Sequence, residues 1–183
     1  MRVLSTSFRN SLEARFNDEL ILVFAVITHP VLTEPIRVVV EDINGISYGP
    51  NAEPINYNLD GHMHYAIPFT FQLLTDDEQR PRTELSIMAI DKRIPEAILA
   101  IPDSPSFAFS VYKSSDWGDV LDANNARSPL ATPHREYYAS YLELQNVQGD
   151  ELQVTADVVG LDVSNEPCPP IRTTQDKTPG LYR

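Results

Sequence analysis

A mainly β fold, a β-sandwich or split β-barrel with one or two short flanking helices, is what the sequence predicts, on three observations. Apolar and polar residues alternate at period two in several separate segments, as in strands with one buried face. Prolines outnumber glycines fifteen to seven, and proline is barred from helix interiors and from central sheet ladders, so it divides the chain into short pieces. Helical periodicity is confined to two short stretches. At 183 residues the chain has room for one sizeable core, which we place in a single β-rich domain over 1–160, followed by an extended proline-rich arm over 161–183.

The elements follow in order. Phe8, Leu12 and Phe16 recur every four residues with Ser7 as cap, predicting an amphipathic helix over 7–17. Leu20–Ile27 is an unbroken apolar run, which fits a strand covered on both faces at the centre of a sheet. Ile36, Val38 and Val40 alternate as a half-buried strand, and Asn44-Gly45 signals a hairpin turn after it. Tyr65, Ile67, Phe69, Phe71 and Leu73 form one face of a strand in which Pro68 implies an edge or a bulge. Ile94, Ile98 and Ile101 share a face of a short helix stopped by Pro102. Phe107, Phe109 and Val111 mark the next strand. Residues 115–135 lack periodicity and predict a long polar loop suited to contact. Residues 137–159 predict a hairpin turning at Gln148-Gly149-Asp150, with Tyr138, Ser140, Leu142 and Leu144 on one face and Leu152, Val154, Ala156 and Val158 on its partner's. The arm, with Pro167, Pro169, Pro170 and Pro179, carries little core of its own.

Composition narrows function by exclusion. Twenty-six acids against fourteen bases give a net charge of -12, which opposes a general grip on nucleic-acid phosphates. A single cysteine, Cys168, leaves no intrachain disulfide framework and no Cys-based zinc site, so a cytosolic folding compartment is the simplest reading. The longest apolar run is eight residues, against about 20 for a spanning helix, so no membrane insertion is expected. His62 and His64 flank Met63 beside Asp60, but without a His-Glu-x-x-His pattern they read as solvent-facing loop histidines rather than zinc ligands. There is no Gly-x-Ser-x-Gly elbow, and Asp76-Asp77-Glu78 lacks the alternating ligands of a calcium loop. Asn44-Gly45-Ile46-Ser47-Tyr48-Gly49 lacks the Gly-Lys-Ser/Thr end of a phosphate loop. No catalytic residue, metal ligand or cofactor is nominated.

The order of features resembles a family of small tail-tip proteins of long-tailed bacteriophages and prophages, grouped with distal or minor tail proteins and formerly labelled a domain of unknown function. The resemblance runs over nearly the whole chain. Its residues are an N-terminal helix followed by Leu20 to His29, then Pro35 to Asp42, the Tyr65–Leu73 strand, Ala89-Ile90-Asp91 leading into the 94–101 helix, the Phe107–Tyr112 strand, the final hairpin and the closing Thr178-Pro179-Gly180-Leu181-Tyr182. Thr178 stands where the family has an aromatic residue, and the 115–135 loop is long for it. The resemblance implies a tail-tube-like β module, with no catalytic residues, that forms a homo-oligomeric ring, hexameric or alternatively trimeric, between the tail-tube protein and the host-facing hub proteins. It implies a virion location at the tail tip after assembly in the host bacterial cytoplasm. DNA would be unbound passing cargo, repelled by carboxylates lining the lumen.

On this reading the interface residues are Pro179, Gly180, Leu181 and Tyr182 of the arm and Trp117 with its loop. The alternative is a β-sandwich carbohydrate-binding module for host recognition that uses Tyr137, Tyr141 or Trp117 as stacking platforms. A small hydrolase is a third class, and would need a deep pocket joining His62, His64 or His134 to carboxylates.

Overall fold

The computed structural model describes residues 5–13, 19–41, 45–71, 82–88, 96, 98, 100–101, 103–150 and 153–160. The chain is mainly β, as expected. One helix, α1 (Thr6–Glu13), precedes strands β1 (Ile21–Thr28), β2 (Ile36–Glu41), β3 (Asn56–Leu59), β4 (His62–Ala66), β5 (Phe69–Phe71) and β6 (Arg82–Met88). After these come β7 (Ser106–Lys113), β8 (Trp117–Leu121), β9 (Ala126–Pro129), β10 (Tyr137–Gly149) and β11 (Gln153–Gly160). Together they form one sheet in the order β5-β6-β11-β10-β7-β1-β2-β4-β3-β9-β8. All pairings are antiparallel except β2 with β4 and β3 with β9.

β1 is the centre of this sheet, and its lack of alternation now has its cause. Ala25 and Ile27, with Ile21 and Val23, enter one core, while Leu22 and Phe24 enter another on the opposite face. β2 divides in the same way, Val38 and Val40 against Val39, because the antiparallel register sets Ala25 opposite Val38 and Phe24 opposite Val39. The first core is aliphatic and phenylalanine-rich, closed by Leu85, Ile87, Phe107, Phe109, Leu144 and Val158. Ile67 donates its N–H to Val39 O at 3.1 Å, and Pro68 O accepts from Met88 N–H at 2.9 Å. One short stretch therefore joins β2 to β6 and closes this half of the sheet as a split barrel. The second half, β4-β3-β9-β8, folds over the other face of β1, β2 and β7.

α1 seals one end of the first core through buried Phe8. Its cap is Ser5 rather than Ser7: Ser5 Oγ accepts from Phe8 N–H at 3.1 Å and donates to buried Glu136 Oε1 at 2.7 Å. Residues 14–17 of the expected helix lie outside the described residues. In the 94–101 stretch, the described residues Glu96 and Ile98 are helical, with Ala100 N–H bonded to Glu96 O at 3.0 Å and Ile98 buried.

Three local expectations need correction. The Tyr65–Leu73 strand breaks at Pro68, which has no N–H to give a ladder. β4 and β5 then lie in distant parts of the sheet, and β4 buries His64 and Ala66 while Tyr65 is exposed. The final hairpin forms, and Val154, Ala156 and Val158 are buried as expected. On β10, however, a register shift between Ala139 and Leu142 puts Tyr137 and Ala139, not Tyr138 and Ser140, on the face of Leu142 and Leu144. Asn44 of the expected Asn44-Gly45 turn lies outside the described residues, and on either side of it Glu41 and Gly45 exchange both backbone hydrogen bonds as an antiparallel pair. Finally, residues 115–135 are not a loop, because they contain β8 and β9 paired as a hairpin.

Candidate functional site

The β8–β9 hairpin is built by side chains that replace missing backbone partners. Asp122 Oδ1 accepts from the N–H groups of Asn124 and Ala126 at 2.8 and 2.9 Å, which folds 122–126 into an Asx turn. Those bonds hold the exposed Asp122 carboxyl below its ordinary range. Asn125 takes a positive φ of 54° and donates from Nδ2 to Pro54 O at 2.7 Å, with its side chain lying against Gly49, where a Cβ would come within 2.6 Å.

Under the hairpin lies the second core. Phe24 is its hub, edge-on to His64 at 5.0 Å and Tyr112 at 5.4 Å and stacked on Trp117 at 5.4 Å. At its margin a polar chain crosses from β2 to β9. Glu41 is only 5% exposed; its carboxylate accepts from Tyr57 Oη–H at 2.6 Å and from the Ser47 hydroxyl. Tyr57 Oη in turn accepts from Arg127 at 3.3 Å, and Arg127 approaches Asp119 at 4.0 Å. The Tyr57 phenol thus bridges a buried carboxyl group and a guanidinium, donating to one and accepting from the other. Burial first, then Glu41, pushes the Tyr57 phenol well above its usual range, so it stays protonated and serves as a fixed donor rather than an acid–base group.

His64 is also part of this core. The expectation of a solvent-facing histidine fails: it is 3% exposed on β4, its Nδ1 lies 3.3 Å from His62 O, and burial pushes its pKa down to about 4. His62 and His134 are exposed, and among the described residues no three His, Cys, Asp or Glu side chains converge. The two clearest surface depressions are shallow. One of about 310 Å³ lies among Thr28, His29, Pro30, Leu32, Pro35 and Ser106. The other, of about 260 Å³, lies over β6, β10 and β11. No helix among the described residues is long and apolar enough to cross a membrane.

The structure separates the expected contact residues. Trp117 is 4% exposed, its indole N–H donating to Asn58 O at 3.0 Å, so its ring offers no face to a partner or a sugar. What the hairpin does present is Val120, 85% exposed, and Leu130, 73% exposed. Sequence reasoning missed both, since neither belongs to a period-two run. Tyr137 is stacked on Phe109 at 5.3 Å against the first core, while Tyr141 is 81% exposed. Pro179, Gly180, Leu181 and Tyr182 lie outside the described residues.

No protein-family model matches the chain, and no curated protein matches it.

Proposed function

We propose that the protein is a structural subunit that works by being built into an assembly, as a ring component of a bacteriophage tail tip between tube and hub. The observation that carries the assembly reading is the β8–β9 hairpin. It ends the strand order, so β8 has no further strand beside it among the described residues, and it sets Val120 and Leu130 in solvent. An unpaired edge carrying exposed apolar side chains is a surface that a second chain can extend or cover. The hairpin is nevertheless firmly held, by the Asp122 turn and the Arg127–Tyr57–Glu41 chain, as a docking element has to be. The tail-tip assignment draws on the likeness of element order described above, and the net charge of -12 suits a lumen that DNA traverses without adhering.

Light scattering and negative-stain imaging across a concentration series provide the test. The wild type is expected to give a closed ring, Val120→Asp with Leu130→Asp a folded monomer, and a deletion of 162–183 a folded protein that fails to assemble. A wild type that stays monomeric at every concentration and with tube and hub proteins added would refute the reading.

A further inference from the structure

Beyond assembly, the outer face of the β10-β11-β6 half-sheet carries a second kind of site. β10 contains two irregularities, one between Ala139 and Leu142 and one between Gln145 and Gln148. Each holds a non-glycine residue at positive φ, Tyr141 at 62° and Asn146 at 52°, a conformation that costs energy for any residue with a Cβ. Bulges of this kind re-aim side chains. The first turns Tyr141 into solvent. The second aims Asn146 Nδ2 at Asp157 Oδ2, 2.7 Å away. Because Ala156 and Val158 enter the first core, Asp157 faces away from it, and Arg82 grips the same oxygen. That grip, then Asn146, holds the Asp157 carboxyl below its ordinary range, so it remains a charged acceptor fixed in place.

Asn146 and Asp157 line the depression of about 260 Å³, whose other walls are Glu84, Gln148, Thr155 and Ala156. Further along β10, Gln145 Nε2 bonds Glu143 Oε2 at 3.4 Å, and Arg135 lies 4.3 Å over the exposed ring of Tyr138. The strip therefore combines free aromatic surface at one end with planar amide, carboxylate and guanidinium groups at the other. Asn146 lies five positions along the strand from Tyr141, roughly 16 Å.

We infer that this strip binds a neutral oligosaccharide lying along β10, with one sugar's C–H face on Tyr141 and hydroxyls of a later unit bonded to Asp157, Asn146 and Glu84. A ring face is electron-rich and attracts polarised C–H groups. The Asn146 amide donates and accepts in one plane and the carboxylates accept, a set that matches vicinal hydroxyls, each of which does both. The separation excludes a monosaccharide as the full ligand. The carboxylates of Glu84, Glu143 and Asp157, on a chain of net charge -12, exclude sulfated or phosphorylated glycans. The two strained positions are then explained together, since each delivers a ligand-facing side chain to the same face.

The test is titration of the full-length protein, by calorimetry and by NMR, with cellohexaose, maltohexaose and chitohexaose, and with a heparin hexasaccharide as the anionic probe. At least one neutral hexasaccharide is expected to bind, with heparin silent. Tyr141→Ala should weaken binding roughly tenfold and Glu84→Gln several-fold, both with unchanged thermal melting. Tyr48→Ala, at an exposed tyrosine outside the named strands, should change nothing. Silence from all three neutral probes, stronger binding of heparin, or full affinity retained in both Tyr141→Ala and Glu84→Gln overturns the inference. None of these readouts depends on whether the protein assembles.

Discussion

The two cores share strands β1, β2 and β7 yet are made of different material. The first is aliphatic and phenylalanine-rich, and the buried acid Glu136 meets it only at the end sealed by α1, where it accepts from Ser5. The second is a knot of rings around Phe24 with an imidazole inside it and a carboxylate–phenol–guanidinium chain at its rim. The first core can be judged by volume alone, since apolar packing is non-directional. In the second, geometry and polar satisfaction decide, since each buried polar group needs its own partner. The half of the sheet that carries the β8–β9 hairpin is thus the more specifically constructed one.

Three experiments would break or sharpen this contrast. The largest effect is expected from Phe24→Ala, about 4 kcal/mol by urea denaturation, against about 3 kcal/mol for Leu144→Ala in the first core. An equal or reversed order would mean that the ring cluster adds nothing beyond area. Next comes acid sensitivity. The folded His64 stays neutral down to about pH 4, whereas the unfolded chain takes up its proton near 6.5. The unfolded state therefore binds more protons in between, and stability that is complete above pH 6.5 is lost as pH falls towards 4, by about 3 kcal/mol in all. His64→Gln should flatten this part of the stability profile, and an unchanged slope would assign acid sensitivity elsewhere. The smallest effect is from Tyr57→Phe, about 2 kcal/mol, because it strips a donor from buried Glu41 without changing shape. A shape-conserving change in the first core, Ile87→Leu, should cost less than about 1.5 kcal/mol. Pairing Tyr57→Phe with Glu41→Gln should shrink the cost if the hydrogen bond is its source.

What was legible in the sequence was whatever repeats. The period-two pattern located β2, β7 and β11, and its absence in Leu20–Ile27 correctly signalled the doubly covered centre. Features that interrupt a period were not readable. The bulge at Tyr141 shifts β10 by one residue, so a face inferred from spacing is wrong on one side of it. Asp60-Gly61, both at positive φ, is the tight turn between β3 and β4 and a hairpin signal in itself, hidden when the segment is read as a histidine pair. The β8–β9 hairpin is specified by Asp122 and Asn125 side chains, which in sequence look like generic polar loop. Trp117 and His64 are buried only because the sheet folds back over β1, β2 and β7. That is a property of the whole topology, and no local window contains it.

The central position of β1 also bears on how the chain comes off the ribosome. Its uncharged Ile-Leu-Val-Phe-Ala-Val-Ile stretch is soon followed by β2, but its second neighbour, β7, begins at Ser106, and the strands that cover Phe24 are spread from β3 to β8. Between the making of β2 and that of β7, an aggregation-prone segment has a partner on one edge only, and the rate of elongation over that interval sets how long the edge stays open.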